Sequence, residues 1–263
     1  MQFTRAIVRP PAPNFADGLT SAELGVPDVA LALVQHEAYC EALERCGLAL
    51  TRLPADDRFP DSTFVEDTAV LTPKSVVFTR PGAESRRGEV EGVRSAIRTL
   101  GRREREIMAP GTVDGGDICE AGSHVLIGIS HRTNEDGGRQ LAAFLAEDGF
   151  TSSFVDIRAV PSILHLKSGL SWLGENALHA AGWLLTIEAL AMMPEVARFD
   201  QIRVPSKEEY GGNAVRVNGH VLLAEGLPHT AELVRAAGYD VITISMSEFR
   251  KMDGGLSCLS LRC

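Results

Sequence analysis

Aromatic residues make up only 6% of the 263 positions, and the five cysteines are an odd number with no C-x-x-C pair among them. A disulfide framework and a zinc site are both disfavoured, because each needs cysteines in matched sets. No apolar run is long enough to cross a bilayer: the greasiest stretch, residues 180–193, is short and carries Glu188. Residues 1–15 lack the uninterrupted apolar core of a signal peptide, which makes the cytoplasm the expected compartment. Excess positive charge is missing too. With 26 Lys and Arg against 35 Asp and Glu the formal charge is −9. Neither nucleic acid nor a membrane surface is then the expected partner, and the sign suits a cationic small molecule better. The remainder, 44% hydrophobic and 23% charged, is the composition of an ordinary globular protein.

What the chain does have is a repeat. Asp67–Thr79, Asp117–Gly128, Ser168–Ala180 and Gly212–Ala224 each read as apolar strand, short polar turn, apolar strand. Their starts recur at a period of roughly 44 to 51 residues. Gly255–Leu261 begins a fifth copy with only half a unit, and the apolar segment Thr4–Arg9 supplies a strand for the missing half. Between the hairpins lie segments of helical period. Val29, Leu33, His36, Cys40 and Leu43 share one face, as do Val90, Val93, Ile97 and Leu100. Leu141, Phe144 and Leu145, then Leu233, Val234 and Ala237, form shorter versions. Gly47, Gly101, Gly149 and Gly238 stand where left-handed C-terminal caps are expected. The simplest architecture is α/β, with five ββαβ-type units closed into a ring of pseudo-fivefold symmetry.

Several residues could carry chemistry. Cys258 follows the double glycine Gly254-Gly255 and is expected at a short strand, where a thiol is well presented; it reads either as a nucleophile or as a core cysteine. Cys40 and Cys119 lie within apolar patterns and read as core. His165, set between Leu164 and Leu166, is either a satisfied core histidine or a general acid/base. Acidic groups gather in Asp61–Asp67 and in Asp114–Asp117, at corresponding starts of two units, where a ring would bring them together. The Glu66-Asp67 pair sits between apolar residues and needs partners there. Arg86, Arg87 and Arg132 follow the second strands of two successive units, and their guanidinium forks could hold a carboxylate.

In this order Asn14–Thr20, Asp61–Val70, Arg80–Arg87, Val113–Asp117, Ile127–Asn134, Leu164–Gly169, Ser245–Phe249 and Gly254–Ser260 resemble the dimethylarginine dimethylaminohydrolases, a family of the pentein or guanidino-group-modifying superfamily. The resemblance spans the chain. It implies a five-bladed α/β propeller and one catalytic domain over residues 1–263. It implies Cys258 as nucleophile, His165 as general acid/base and Asp114 as its acidic partner. Asp67 would hold the substrate guanidinium with Glu66 in support, and Arg86 and Arg132 would clamp the α-carboxylate. Asp61 and the Leu19 carbonyl would receive the α-amino group, with Met252 also among the substrate-binding positions. The implied reaction hydrolyses N-omega-methylated arginines to citrulline and a methylamine through an S-alkylthiouronium on Cys258. It needs no metal and no organic cofactor. The partner is the small-molecule substrate, not nucleic acid or membrane, and a homodimer is allowed. Arginine deiminase chemistry is the nearest alternative, but such enzymes usually carry a helical insertion for which this chain has no room.

Overall fold

The computed structural model describes residues 2–263. Five three-stranded sheets are arranged as blades. Blade 1 joins Leu261–Arg262, Arg5–Val8 and Ala49–Arg52; blade 2 holds Ala69–Leu71, Ser75–Phe78 and Arg103–Glu106. Blade 3 holds Ile118–Ala121, His124–Ile129 and Thr151–Asp156; blade 4 holds Leu170–Asn176, His179–Thr186 and Gln201–Arg203; blade 5 holds Val215–Val217, His220–Ala224 and Asp240–Ile244. In every blade the first strand runs antiparallel to the second and the second parallel to the third. A parallel neighbour requires a crossover, and helical segments supply it in all five: Val29–Arg45, Glu89–Arg98, Glu135–Asp148, the pair Glu188–Ala191 and Pro194–Ala197, and Pro228–Ala236.

Composition follows position. The middle strands of blades 2 and 3 are covered on both faces: every residue of Ser75–Phe78 and of His124–Ile129 is buried. The outer strand Arg103–Glu106 reads Arg-Glu-Arg-Glu and is mostly exposed, a charged edge that resists pairing with another chain. First strands lie innermost and pack beside one another, Ile118–Ala121 against Leu170–Asn176, and that strand against Val215–Val217. Helix ends are capped as the sequence suggests. Asp28 accepts from the amides of Ala30 and Leu31, and Asn134 from that of Gly137. Gly47, Gly101, Gly149 and Gly238 all have positive φ, the left-handed geometry a C-terminal cap requires. Blade 4 has two single helical turns in place of one crossover helix, which fits the shorter spacing to the unit that follows.

Three expectations need correction. Leu33 and Leu233 point outward, at 44% and 41% exposure. The buried stripe of the first helix runs instead through Ala32, His36, Tyr39 and Leu43, because small Ala32 lets the helix settle and Tyr39 reaches Ser260 Oγ at 2.6 Å. Cys258 lies in a 3₁₀ turn, Ser257–Leu259, rather than at a strand; the strand that follows is only Leu261–Arg262.

That strand closes the ring. It pairs antiparallel with the first strand, Ile7 opposite Leu261 and Ala6 opposite Arg262. The amides of Thr4 and Arg5 also donate to the Cys263 carbonyl, and the Cys263 amide donates back to Arg5. Leu261 is 4% exposed. Leu261→Ala should therefore lower the unfolding free energy by about 2–5 kcal/mol, read from urea denaturation; a loss under about 0.5 kcal/mol would show that closure contributes little.

Candidate active site

Each first strand is entered through a helical turn: Val65–Thr68, Gly115–Asp117, Leu166–Gly169, Ser206–Gly212 and Ser257–Leu259 for blades 2, 3, 4, 5 and 1. These turns pack against one another at one end of the axis, Val65–Thr68 against Ser257–Leu259 and Gly115–Asp117, and Leu166–Gly169 against Gly115–Asp117 and Ser206–Gly212. The residues far apart in the chain meet there.

His165 caps the blade 4 turn and is 5% exposed; its Nε2 donates to Asp114 Oδ2 at 3.0 Å. Asp114 is fully buried and also accepts from the Gly82 amide through Oδ1 at 2.8 Å. Asp67, 3% exposed, accepts from Arg86 Nη1 at 2.6 Å and from the Gly116 amide at 2.8 Å. Gly116 is required by close approach: a Cβ there would lie 2.8 Å from His165 Nδ1 and 3.0 Å from Asp67 Oδ1. Cys258 Sγ accepts from the Gly255 amide at 3.4 Å. Asp67, Asp114 and His165 bring donor atoms within 4.8 Å of one another, and Arg86 and His165 already give the two carboxylates cationic partners.

The electrostatics follow from burial and neighbours. Burial pushes the His165 pKa down, but the charge of Asp67 and the bond to Asp114 outweigh it and raise it to about 9, so the imidazole is protonated at neutral pH. Burial alone would raise Asp67; the charges of His165 and Arg86, with the bonds from Arg86 and Gly116, hold it well below the usual carboxylate range. Cys258 moves the other way. Burial, then the charges of Glu66 and Asp67, push its thiol up to about 12. Without a ligand the site therefore holds a thiol, an imidazolium and a carboxylate.

The remaining sequence candidates fall on both sides of this centre. Asp61, 5% exposed, accepts from the Leu19 amide with both oxygens at 3.1 Å; its pKa is raised, chiefly by burial. Met252 is buried beside it, while Leu19 is 41% exposed at the rim. Arg132 Nη1 is buried without a hydrogen-bond partner among the described residues, 3.8 Å from Asp114 Oδ2. Such an orphaned donor is costly and suits an anionic ligand group. Arg86, expected only as its companion, is buried and committed to Glu89 through Nε and Nη2 and to Asp67 through Nη1. It forms a buried ion pair with Asp67. Arg87 instead donates to the Pro81 carbonyl at 3.2 Å. Glu66 faces away from Asp67: it binds Lys167 at 2.6 Å, Arg262 at 3.1 Å and Ser257 Oγ at 2.8 Å, and with Lys167 and Ser257 lines a separate cavity of about 650 Å³.

Sequence reasoning missed three supports. Glu89 forks onto Arg86, and Asp117 receives the Leu166 amide, anchoring the residue after His165. Asn213 holds the turn before Cys258. Only Asp117 lay within a flagged cluster; a lone Glu in a helix and a lone Asn at a turn give no pattern.

The raised pKa of His165 has a measurable consequence. Its folded value lies above the ordinary 6.5, so the stability it contributes is complete below about pH 6.5 and is lost as pH rises through about 9. The imidazole should titrate near pH 9 by ¹⁵N NMR. In Asp114→Asn the midpoint should fall by roughly one to three units; an unchanged midpoint would show that Asp114 does not set it.

No family model matches the chain. Relatives match it end to end. The N(G),N(G)-dimethylarginine dimethylaminohydrolase of Pseudomonas aeruginosa is 47% identical over 262 residues, covering 99% of each chain. That of Streptomyces coelicolor is 37% identical over 266 residues, covering 100% of this chain and 98% of its own. A solved structure of the Pseudomonas aeruginosa protein, a cysteine-to-serine variant complexed with citrulline, superposes with a TM-score of 0.94 at 44% identity and full coverage of both chains. The N-terminal domain of a cyanobacterial arginine dihydrolase, at 18% identity and a TM-score of 0.83, shares the fold.

Proposed function

This chain belongs to the dimethylarginine dimethylaminohydrolase family, and from that premise we propose how its own residues hydrolyse N-omega-methylated arginines to citrulline and dimethylamine or methylamine. The observation that carries the residue assignment is the buried, ionised Asp67 facing His165 beside the Cys258 turn. Asp67 pairs with Arg86 through Oδ2, while Oδ1 accepts only the Gly116 amide and keeps capacity for a substrate guanidinium. Asp67 takes the guanidinium, Asp61 and the Leu19 carbonyl take the α-amino group against Met252, and Arg132 takes the α-carboxylate on its orphaned Nη1. Arg86 stands behind as the charge that keeps Asp67 ionised. Glu66 supports the turn of Cys258 through Ser257 rather than touching substrate.

The order of proton movements follows from the resting state. The bound cation offsets the negative charge around Cys258, and the thiol releases its proton to solvent, since the imidazole already carries one. The thiolate attacks the central guanidino carbon. As the bond from that carbon to the methylated nitrogen breaks, His165 protonates the departing amine, leaving an S-alkylthiouronium on Cys258. The now neutral His165 takes a proton from water, which adds as hydroxide to the same carbon; the carbon–sulfur bond breaks, the hydroxyl proton passes to the departing Cys258 sulfur, and citrulline leaves. Asp114 keeps the imidazole oriented through both halves. The whole chain, 1–263, acts as one catalytic domain. Among the described residues no helix is long and apolar enough to cross a membrane; we assign the enzyme to the cytoplasm.

Two measurements test this reading. Acid quench during turnover of asymmetric dimethylarginine should trap an adduct that peptide mapping places on Cys258, and Cys258→Ser should form neither adduct nor citrulline. An adduct on Cys119 would refute the assignment. Arg132→Lys should lower kcat/KM by roughly 30- to several-thousand-fold, since an ammonium cannot reproduce the planar fork and about 2–5 kcal/mol of charged contact is lost. Equal efficiency on agmatine, which lacks the carboxylate, would show that Arg132 does not read that group.

A further inference from the structure

Four of the five axial turns bring a chemical group to the centre: Asp67, Asp114, His165 and Cys258. The fifth, Ser206–Gly212, brings none of these but ends in Asn213, 4% exposed. Its side-chain amide is fully engaged. Oδ1 accepts from the Ser257 amide at 3.0 Å, and Nδ2 donates to Ser257 Oγ and to the Lys167 carbonyl, each at 3.0 Å. Ser257 precedes Cys258, and Lys167 lies two residues beyond His165 in the turn that His165 caps. One amide thus joins the segment of the thiol to the segment of the imidazole. The join is tight, for a Cβ on Gly255 would fall 2.4 Å from Asn213 Cγ. Tyr210, on the same turn, adds a second tie by donating to the Gly254 carbonyl at 2.8 Å. Ser257 Oγ passes its own hydrogen to Glu66 Oε2, which extends the network to blade 2.

We propose that Asn213 is a positioning residue that sets the register between Cys258 and His165. The inference rests on the functional reading above and adds blade 5 to it. Neither Asn213 nor Tyr210 bonds to Asp61, Asp67 or Arg132, the groups assigned to hold the substrate. Loss of the amide therefore moves the nucleophile relative to its acid without removing a substrate contact. Misplacement of reacting groups by about 1 Å costs on the order of 10²-fold in rate.

The test is Asn213→Ala, with active sites counted by exhaustive alkylation and peptide mapping of Cys258. The kcat per site on asymmetric dimethylarginine should fall by about 10²-fold while KM stays within about threefold of wild type. Ser257→Ala keeps its amide bond to Asn213 and should lose less. The double variant should be no more than about threefold worse than Asn213→Ala, because both act through one tie. An unchanged kcat per site, a KM that rises in step with the fall in kcat, or multiplicative losses in the double variant would overturn the proposal. If Asn213→Ala does not fold, Tyr210→Phe removes one hydroxyl bond from the same loop. It should lower kcat by several-fold at constant KM, and unchanged turnover there would count against the proposal equally. Wild-type turnover and the Cys258→Ser control report separately on the underlying reading.

Discussion

The antiparallel pairing of Leu261–Arg262 with Arg5–Val8 is the contact on which the rest of the molecule depends. It is small, two residues on one side, yet it turns a row of four blades and two fragments into a ring. Closure does two things at once. It covers the open edge of Arg5–Val8 and so completes blade 1, and it fixes Cys258, three residues upstream of the strand, against the turns of blades 2 and 5. A thiol in a helical turn held at both ends has few ways to move. The strained or flexible presentation that a double glycine suggests is replaced by Asn213, Tyr210 and Glu66 gripping the turn from three sides.

The ring also explains how so much charge can be buried near one axis. Each buried carboxylate has its own donors: Asp67 has Arg86 and the Gly116 amide, Asp114 has His165 and the Gly82 amide, and Asp117 has Ser130 and the Leu166 amide. Glu66 has Lys167, Arg262 and Ser257. Burying a carboxylate without such partners would cost several kcal/mol. The donors of Asp67, Asp114 and Asp117 come from the segments of blades 2, 3 and 4, and Glu66 alone of the four draws donors from the closing segment, Ser257 and Arg262. Arg132 Nη1, by contrast, has no partner among the described residues, and it lies on the face assigned to substrate.

The ring and its helices were legible in the sequence because both are periodic. Hairpins recur, and the capping glycines stand at matching places. A short run of period leaves the helix face loosely set: the first helix buries Ala32 where Leu33 is expected, and the last buries Thr230, Ala231 and Val234 while Leu233 stays exposed. Asp67, Asp114, His165 and Cys258 were legible through motifs in a fixed order, and the structure brings Asp67, Asp114 and His165 together. Glu66 and Arg86 were read through the resemblance, and the structure adds their partners in the fold: successive residues of the blade 2 turn reach different groups. Glu66 turns toward Lys167, Asp67 toward His165. Asn213 had no signature, since an asparagine beside glycines is ordinary turn chemistry and its three partners lie more than forty residues away in the chain.

The same burial sets stability against chemistry as pH changes. Asp117, raised to about 6 chiefly by burial, His165, raised to about 9, and Cys258, pushed to about 12, all bind protons more tightly folded than unfolded. Their ordinary values are 3.8, 6.5 and 9.0. Successive windows from about pH 4 to 6, 6.5 to 9 and 9 to 12 therefore each remove stability as pH rises. Asp67 acts in the opposite sense, but only as pH falls below the ordinary carboxylate range. Attack on the guanidino carbon needs the thiolate, which high pH would supply at the expense of the fold and of the imidazolium that must protonate the amine. A cationic substrate removes the conflict. It lowers the cost of the thiolate locally, where Glu66 and Asp67 had raised it, while the bond to Asp114 continues to favour the charged form of His165. In the roles proposed for His165 and Cys258, the bound substrate thus brings acid and nucleophile toward their working states together at neutral pH, and favours the reactive thiolate in the occupied site.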